Sequence, residues 1–251
     1  MNILISNDDG YRSLGIAALV EACEGLGEVY VCAPEQNASA TSNSLTVTRP
    51  LSIFQNEKKW HVVNGTPSDS VHIALTAQML PRPNLVLSGI NFGANLGEDT
   101  LYSGTVAAAT EGYLFGIPAV AFSLCGQSWE NLESAKAVAR GIIESLLTDL
   151  TPQTPAYLLN VNIPNLSSQE LKGSKICRLG RRHATTGAIR AENPRGEPIY
   201  WIGPAGKARE SSEGTDFHAI RNGYVSVTPL QVDLTDHVSL PVWKDRLGME
   251  F

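Results

Sequence analysis

The chain has 251 residues, 19 Lys and Arg against 25 Asp and Glu, a formal net charge of −6 and 43% hydrophobic residues. That length can bury a core without disulfides or structural metals, and the composition excludes an intrinsically disordered chain. The acidic balance argues against a nucleic-acid polymer as partner, which would need a basic face.

Residues 2–6 form a short apolar run, the pattern of a buried parallel strand. Residues 15–26 place Ile16, Leu19, Val20 and Cys23 at helical spacing, and residues 28–33 are strand-like again, closed by Pro34. Strand, helix and strand make a βαβ unit, so a parallel sheet is expected. After a polar loop at 34–44, extended segments at 51–54 and 60–63 flank a polar turn and predict a hairpin. Thr66-Pro67-Ser68-Asp69 reads as a helix start, with Thr66 as cap and Asp69 closing a capping box; this helix is expected to reach about Met79.

Residues 85–88 predict another buried strand, opening into a long Gly/Asn loop at 89–103. A helix over 105–114, a strand over 118–123, a strongly periodic helix over 131–147 and a strand over 157–163 follow. Beyond Pro164 the pattern breaks into polar loops with short strand candidates at 175–179 and 224–228. The expected fold is α/β, a Rossmann-like, doubly wound, mostly parallel sheet over 1–164. Residues 165–251 are expected to form a β-rich C-terminal extension or arm for oligomerisation, part of which can complete the core.

Cys23, Cys32, Cys125 and Cys177 form no C-x-x-C pair and fit no zinc spacing; they read as small core residues in a reducing compartment. His61, His72, His183, His218 and His237 are scattered, none at metal-ligand spacing, and read as structural or surface residues. The N-terminus lacks a signal-peptide pattern. The most apolar window, 114–124, is interrupted by Gly116 and Pro118 and is too short to span a bilayer. A cytoplasmic protein without a membrane partner is expected.

Chemistry concentrates where strands end. Ser6-Asn7-Asp8-Asp9-Gly10 sets two adjacent carboxylates at the carboxyl end of the first strand, the edge where open α/β sheets bind ligands. The plainer alternative is a turn at Asp9-Gly10 with Asp8 capping the next helix. The glycines of 89–97 permit a tight backbone, and Asn91 and Asn95 offer amide groups at the same edge. Ser103-Gly104-Thr105 opens a helix, where a hydroxyl can cap and free N–H groups can hold a phosphate. The Ser/Asn-rich loop after the second strand carries Ser39 to that edge. Oxygen donors of this kind suit hard divalent cations rather than zinc, and an ion beside a phosphate cradle points to phosphoryl chemistry. No P-loop, no G-x-G-x-x-G after the first strand and no G-x-S-x-G elbow occurs, which disfavours a P-loop NTPase, a dinucleotide-binding enzyme and a serine esterase.

Asn7-Asp8-Asp9-Gly10, Asn37-x-Ser39, Ser88-Gly89-Ile90-Asn91 and Tyr102-Ser103-Gly104-Thr105 with the alanines that follow, in this order, resemble the SurE family of survival-protein nucleotidases. The resemblance continues through 193–196, 200–204, 214–217 and 223–230. It implies a metal-dependent phosphatase acting on nucleoside 5′- and 3′-monophosphates and on short polyphosphate. It implies one divalent ion per subunit, Mg²⁺ or Mn²⁺, held by Asp8, Asp9, Ser39 and Asn91. Catalysis falls to Asp8 and Asp9, and phosphate binding to Asn95, Ser103, Gly104 and Thr105. A homodimer or homotetramer with exchanged C-terminal segments is implied as well. Two positions depart from the family pattern: Ser13-Leu14 stand where Ala-Pro is common, and Ala40 where Gly is common. Two rival functions remain open on the residues alone. One is a phosphatase working through a covalent aspartyl-phosphate, which the adjacent rather than D-x-D acids disfavour. The other is a non-catalytic nucleotide- or metal-binding module.

Overall fold

A computed structural model describes residues 1–182, 187–203 and 205–250. His183 and Pro204 lie outside the described residues. In chain order the elements are β1 (Asn2–Ser6), α1 (Leu14–Ala22), β2 (Glu28–Pro34), β3 (Ile53–Gln55), β4 (His61–Val63), α2 (Pro67–Thr76), β5 (Leu85–Phe92), a 3₁₀ turn (Gly97–Leu101) and α3 (Gly104–Leu114). They continue with β6 (Ala119–Cys125), α4 (Leu132–Thr148), β7 (Leu158–Pro164), β8 (Ser174–Ile176), β9 (Arg181–Arg182), β10 (Ile189–Glu192), β11 (Pro198–Trp201), β12 (Ala208–Glu210), α5 (Asp216–Arg221), β13 (Val225–Leu230) and α6 (Leu240–Leu247).

Among the described residues, nine strands form one sheet in the order β3-β4-β2-β1-β5-β6-β7-β13-β8. Pairing is parallel from β4 through β7 and again between β13 and β8; β3 with β4 and β13 with β7 are antiparallel. The mostly parallel α/β fold expected of the chain is the one observed. Two strands from beyond residue 164, β13 and β8, extend this sheet, whereas β10 with β11 and β12 with β9 form separate two-stranded ribbons.

The central strands β1, β5, β6 and β7 bury both faces, so their successive side chains feed two cores. Ile3 and Ile5 join Ile16, Leu19, Leu87, Phe122, Ile143 and Ile163 under α1 and α4. Leu4 joins Val63, Val71, Val86, Val106 and Leu158 under α2 and α3. All four cysteines are free and buried; burial pushes the thiols of Cys23, Cys32 and Cys125 up to about 12, so they pack as small apolar groups.

Local signals act as expected at α2, where the Thr66 side chain accepts the Asp69 N–H and Asp69 returns a bond to Thr66. That helix ends at Thr76 rather than near Met79, and Gln78 stands at φ 54°, outside helical space. Helix α1 stops at Ala22, four residues before the expected end. Strand β5 runs on to Phe92, so Gly89, Ile90 and Asn91 belong to the sheet and not to the loop expected from 89 onward; its register against β6 shifts between Ser88 and Asn91. That irregularity lets the strand continue past Gly89, where a Cβ would lie 2.4 Å from the Phe122 carbonyl oxygen.

Gly15 fixes how α1 meets this segment. A Cβ there would stand 1.8 Å from the Ile90 carbonyl oxygen. Gly15→Ala is expected to destabilise the protein by roughly 3 kcal/mol, because backbone must yield to make room. Urea denaturation showing an unchanged midpoint would refute this close approach.

Candidate functional site

Three loops leave the carboxyl ends of the neighbouring strands β2, β1 and β5 and are stitched together. Strands β1 and β5 pair in parallel with Ser6 opposite Ser88, so Asp8 and Asp9 rise beside Asn91. Asp9 Oδ2 accepts the Phe92 N–H at 3.1 Å. The Asp8 carbonyl accepts the Ala38 N–H at 2.8 Å, and Asn37 Nδ2 reaches Asp9 Oδ1 at 3.4 Å. Asn37 Oδ1 in turn accepts both the backbone N–H and the hydroxyl of Ser39, at 2.9 and 2.7 Å. Ser42 ties this loop to the next: its hydroxyl donates to the Leu101 carbonyl and its N–H to that of Tyr102.

Asp8 is buried at 4% exposure, against the first turn of α3. Its Oδ1 accepts the Thr105 hydroxyl at 2.5 Å. A Cβ on Gly104 would lie 2.7 Å from Asp8 Cβ, so only glycine lets the helix start this close. Burial raises the Asp8 carboxyl from 3.8 to about 6; the Thr105 hydroxyl opposes the rise and the neighbouring Asp9 charge adds to it. Asp9 is raised too, by burial, with the Phe92 N–H pulling the other way.

The capping alternative for Asp8 fails, because α1 is capped by Ser13, whose hydroxyl accepts the Ile16 N–H at 3.3 Å. The same hydroxyl accepts Asn7 Nδ2 at 2.9 Å. Ser13 therefore gives the Ser13-Leu14 departure a physical role: a side-chain cap starts the helix where a proline commonly would. Ala40 adopts φ 60°, a left-handed conformation that glycine takes more readily, which explains the family's preference there.

The remaining expected site residues are placed as follows. The Asn91 Nδ2 donates to the Gly93 carbonyl at 2.9 Å, leaving its amide oxygen as the end that can face a cation. Ser39 is exposed on its loop. Ser103 caps α3 through the Val106 N–H at 3.1 Å. Asn95 is buried, and its Nδ2 donates to Ser123 Oγ at 2.8 Å. Its backbone is gripped from β7: the N–H donates to Asn162 Oδ1, and the carbonyl accepts Nδ2 of both Asn160 and Asn162.

Two features escape a reading of the chain. Asn37 belongs to the Asn37-x-Ser39 motif but has no role assigned from the sequence, yet it bridges Asp9 and Ser39; its Asx-type spacing to Ser39 is the available signal. Asn160 and Asn162 lie at zero exposure in an otherwise apolar strand, and that buried polar alternation marks them.

Among the described residues, no group of three or more His, Cys, Asp or Glu side chains could hold a metal ion. An ion at this rim would rest on two carboxylates supplemented by neutral oxygens, a donor set that suits a hard divalent cation. A buried and a half-buried carboxylate, both with raised proton affinity, fit such an occupant, since a cation offsets the cost of ionising both. Asn37→Ala is expected to weaken divalent-ion affinity about tenfold or more, the effect usual for a group that orients a ligand. Calorimetric titration giving the wild-type affinity would remove Asn37 from that role.

Among known proteins, a family profile described as "Survival protein SurE" matches residues 3–186. A curated relative from Polaromonas naphthalenivorans (strain CJ2), described as 5′-nucleotidase SurE, is 55% identical over 250 residues, covering 97% of this chain and 96% of its own. A crystal structure of the SurE protein from Aquifex aeolicus is 43% identical and superimposes with a TM-score of 0.85, covering 98% of this chain and 100% of that one.

Proposed function

The chain belongs to the SurE family, and on that premise we propose that it is a 5′-nucleotidase, hydrolysing nucleoside monophosphates to nucleoside and phosphate. The observation that carries this reading is the pairing of Asp8 and Asp9 at the rim, with Asp8 buried against the first turn of α3. The family is divalent-metal dependent in general, and Asp8, Asp9, Ser39 and Asn91 are the residues we propose to hold one Mg²⁺ or Mn²⁺ per subunit. Such an ion supplies charge neutralisation at the phosphoryl oxygens and a more acidic bound water.

The chain's own part is positioning. The Thr105 hydroxyl and the Ala38 N–H hold Asp8 at its side chain and at its backbone. Asn95 and the α3 start at Ser103, Gly104 and Thr105 are proposed to meet the phosphate, where backbone N–H groups and the helix dipole favour an anion. One of the two carboxylates, Asp8 or Asp9, orients or deprotonates the attacking water, with in-line geometry supplying much of the rate. Activity on 3′-monophosphates and short polyphosphate belongs to the same proposal.

Phosphate release across a nucleotide panel, with Mg²⁺ and Mn²⁺ compared, tests the reading. Metal-dependent turnover of 5′-monophosphates is the expected result, and none on any nucleotide would overturn it. A phospho-enzyme trapped with labelled substrate would favour the aspartyl-phosphate route instead.

Two further proposals concern setting and assembly. Four free, buried cysteines support a reducing, cytoplasmic location; among the described residues no helix is long and apolar enough to cross a membrane. The β10–β11 ribbon and the C-terminal region expose Tyr200, Trp201, Ile202, Val242, Trp243 and Leu247, apolar surface that supports a homodimer or homotetramer with exchanged C-terminal segments. Light scattering coupled to size exclusion should give a mass above one chain; a strict monomer would defeat this.

A further inference from the structure

Asp216, the first residue of α5, is a carboxylate at zero exposure that the proposed chemistry does not use. Its Oδ2 accepts the Gly97 N–H at 2.8 Å, and its Oδ1 accepts those of Gly180 and Phe217, each at 2.8 Å. Three stretches remote in sequence therefore meet on one side chain: the loop after β5, the turn before β9, and α5.

The junction is packed so that only small residues fit. A Cβ on Gly97 would lie 2.8 Å from the Phe217 ring and 2.9 Å from the Gly180 carbonyl oxygen. A Cβ on Gly180 would lie 2.5 Å from the Glu210 carbonyl oxygen and 2.6 Å from Phe217. Arg182 fastens the same loop one turn on. Its guanidinium pairs with Asp99, its N–H donates to Glu98 Oε2 at 2.7 Å, and it lies 5.0 Å from the Phe217 ring centroid.

Gly97 is two residues beyond Asn95, whose backbone is held from β7 by Asn160 and Asn162. The loop is thus anchored on both sides of Leu96, from the sheet at 95 and from the C-terminal segment at 97. From this geometry we infer that Asp216 is a positioning residue for the phosphate-binding loop. It fixes Gly97, and through it Asn95 and the turn leading to Ser103–Thr105. The inference rests on the reading of those residues as phosphate contacts. It also makes a residue outside the family-matched stretch 3–186 set the geometry of the site.

Asp216→Asn is isosteric but can accept at one atom only. Whichever way the amide turns, either the Gly97 N–H or the Gly180 and Phe217 N–H groups face a donor. In the full-length protein, KM for a nucleoside monophosphate should rise about tenfold, and inhibition by inorganic phosphate should weaken about tenfold, with kcat within about threefold of wild type. Amide exchange at 97–101 should quicken, while β5 and the body of α3 keep their protection. Arg182→Ala, which leaves the buried carboxylate intact, should shift the same quantities in the same direction by less. A folded Asp216→Asn with wild-type KM, phosphate inhibition and exchange would overturn the inference. If that variant does not fold, unchanged values in Arg182→Ala do so. A wild type that hydrolyses no nucleotide would sink the functional reading alone, since the exchange measurement still tests the anchor.

Discussion

Asp8→Asn should lower kcat/KM for nucleoside monophosphates by about a thousandfold while leaving the fold in place. The replacement is close to isosteric. Its amide oxygen can still accept the Thr105 hydroxyl, and the Asp8 backbone bond to Ala38 does not depend on the side chain. What is lost is a negative charge on a buried side chain, where charge acts through a lower effective dielectric than in water. Asp9→Asn should cost a similar factor, because on the proposed assignment the two carboxylates share the task of holding a cation. Thr105→Val should cost less: it removes one hydrogen bond from Asp8 and leaves both charges. Steady-state kinetics on several nucleotides, with Mg²⁺ and with Mn²⁺, checks the ranking. Near-normal turnover in Asp8→Asn with unchanged metal dependence would reject the assignment of the paired acids.

What could be read from the chain follows the range over which each signal acts. The strands β1, β2, β5, β6 and β7 are legible because strands buried on both faces must be nearly all apolar. The starts of α2 and α3 are legible because capping is a contract among residues three apart, here Thr66 with Asp69 and Ser103 with Val106. Helix ends and the irregular passage through Gly89 to Phe92 are not. They depend on what stands opposite, such as the Phe122 carbonyl that only a glycine clears. The short ribbons after residue 180 are illegible for another reason: two to four residues carry no periodicity to detect.

The site divides in the same way. Asp8, Asp9, Ser39 and Asn91 stand out because a polar residue following an apolar strand is conspicuous, and because four motifs in one order resemble a known family. The roles of Asn37, Thr105 and Asp216 do not stand out. Each acts across a gap of many residues, 28 from Asn37 to Asp9, 97 from Thr105 to Asp8, and 119 from Asp216 to Gly97. Contacts of that kind belong to the topology, which brings loops from separate strands to one edge, and only the folded chain displays them.

Removing divalent ions with a chelator should abolish hydrolysis, and restoring Mg²⁺ or Mn²⁺ should raise the melting temperature, by more at pH 8 than at pH 5. Burial moves the Asp8 carboxyl from 3.8 to about 6. An acid whose folded value is raised stabilises the fold in its protonated form. That contribution is complete below about pH 4 and is lost as pH climbs through about 6. By pH 8 the ionised carboxylate costs the metal-free protein about 3 kcal/mol, the equivalent of a shift of about two pH units. Asp9 is raised as well and acts in the same sense. A cation held by the pair as proposed would bind its ionised form, so at pH 5 it must first displace protons, whereas at pH 8 it meets charges already formed. Asp8→Asn supplies the control for every other group that titrates in this range. Free of metal, it should melt above the wild type at pH 8, by about half as much at pH 5 and close to it only below about pH 4, and added ion should hardly move it. A metal-free difference between wild type and variant that is the same at both pH values would show that the buried charge is not what the ion relieves.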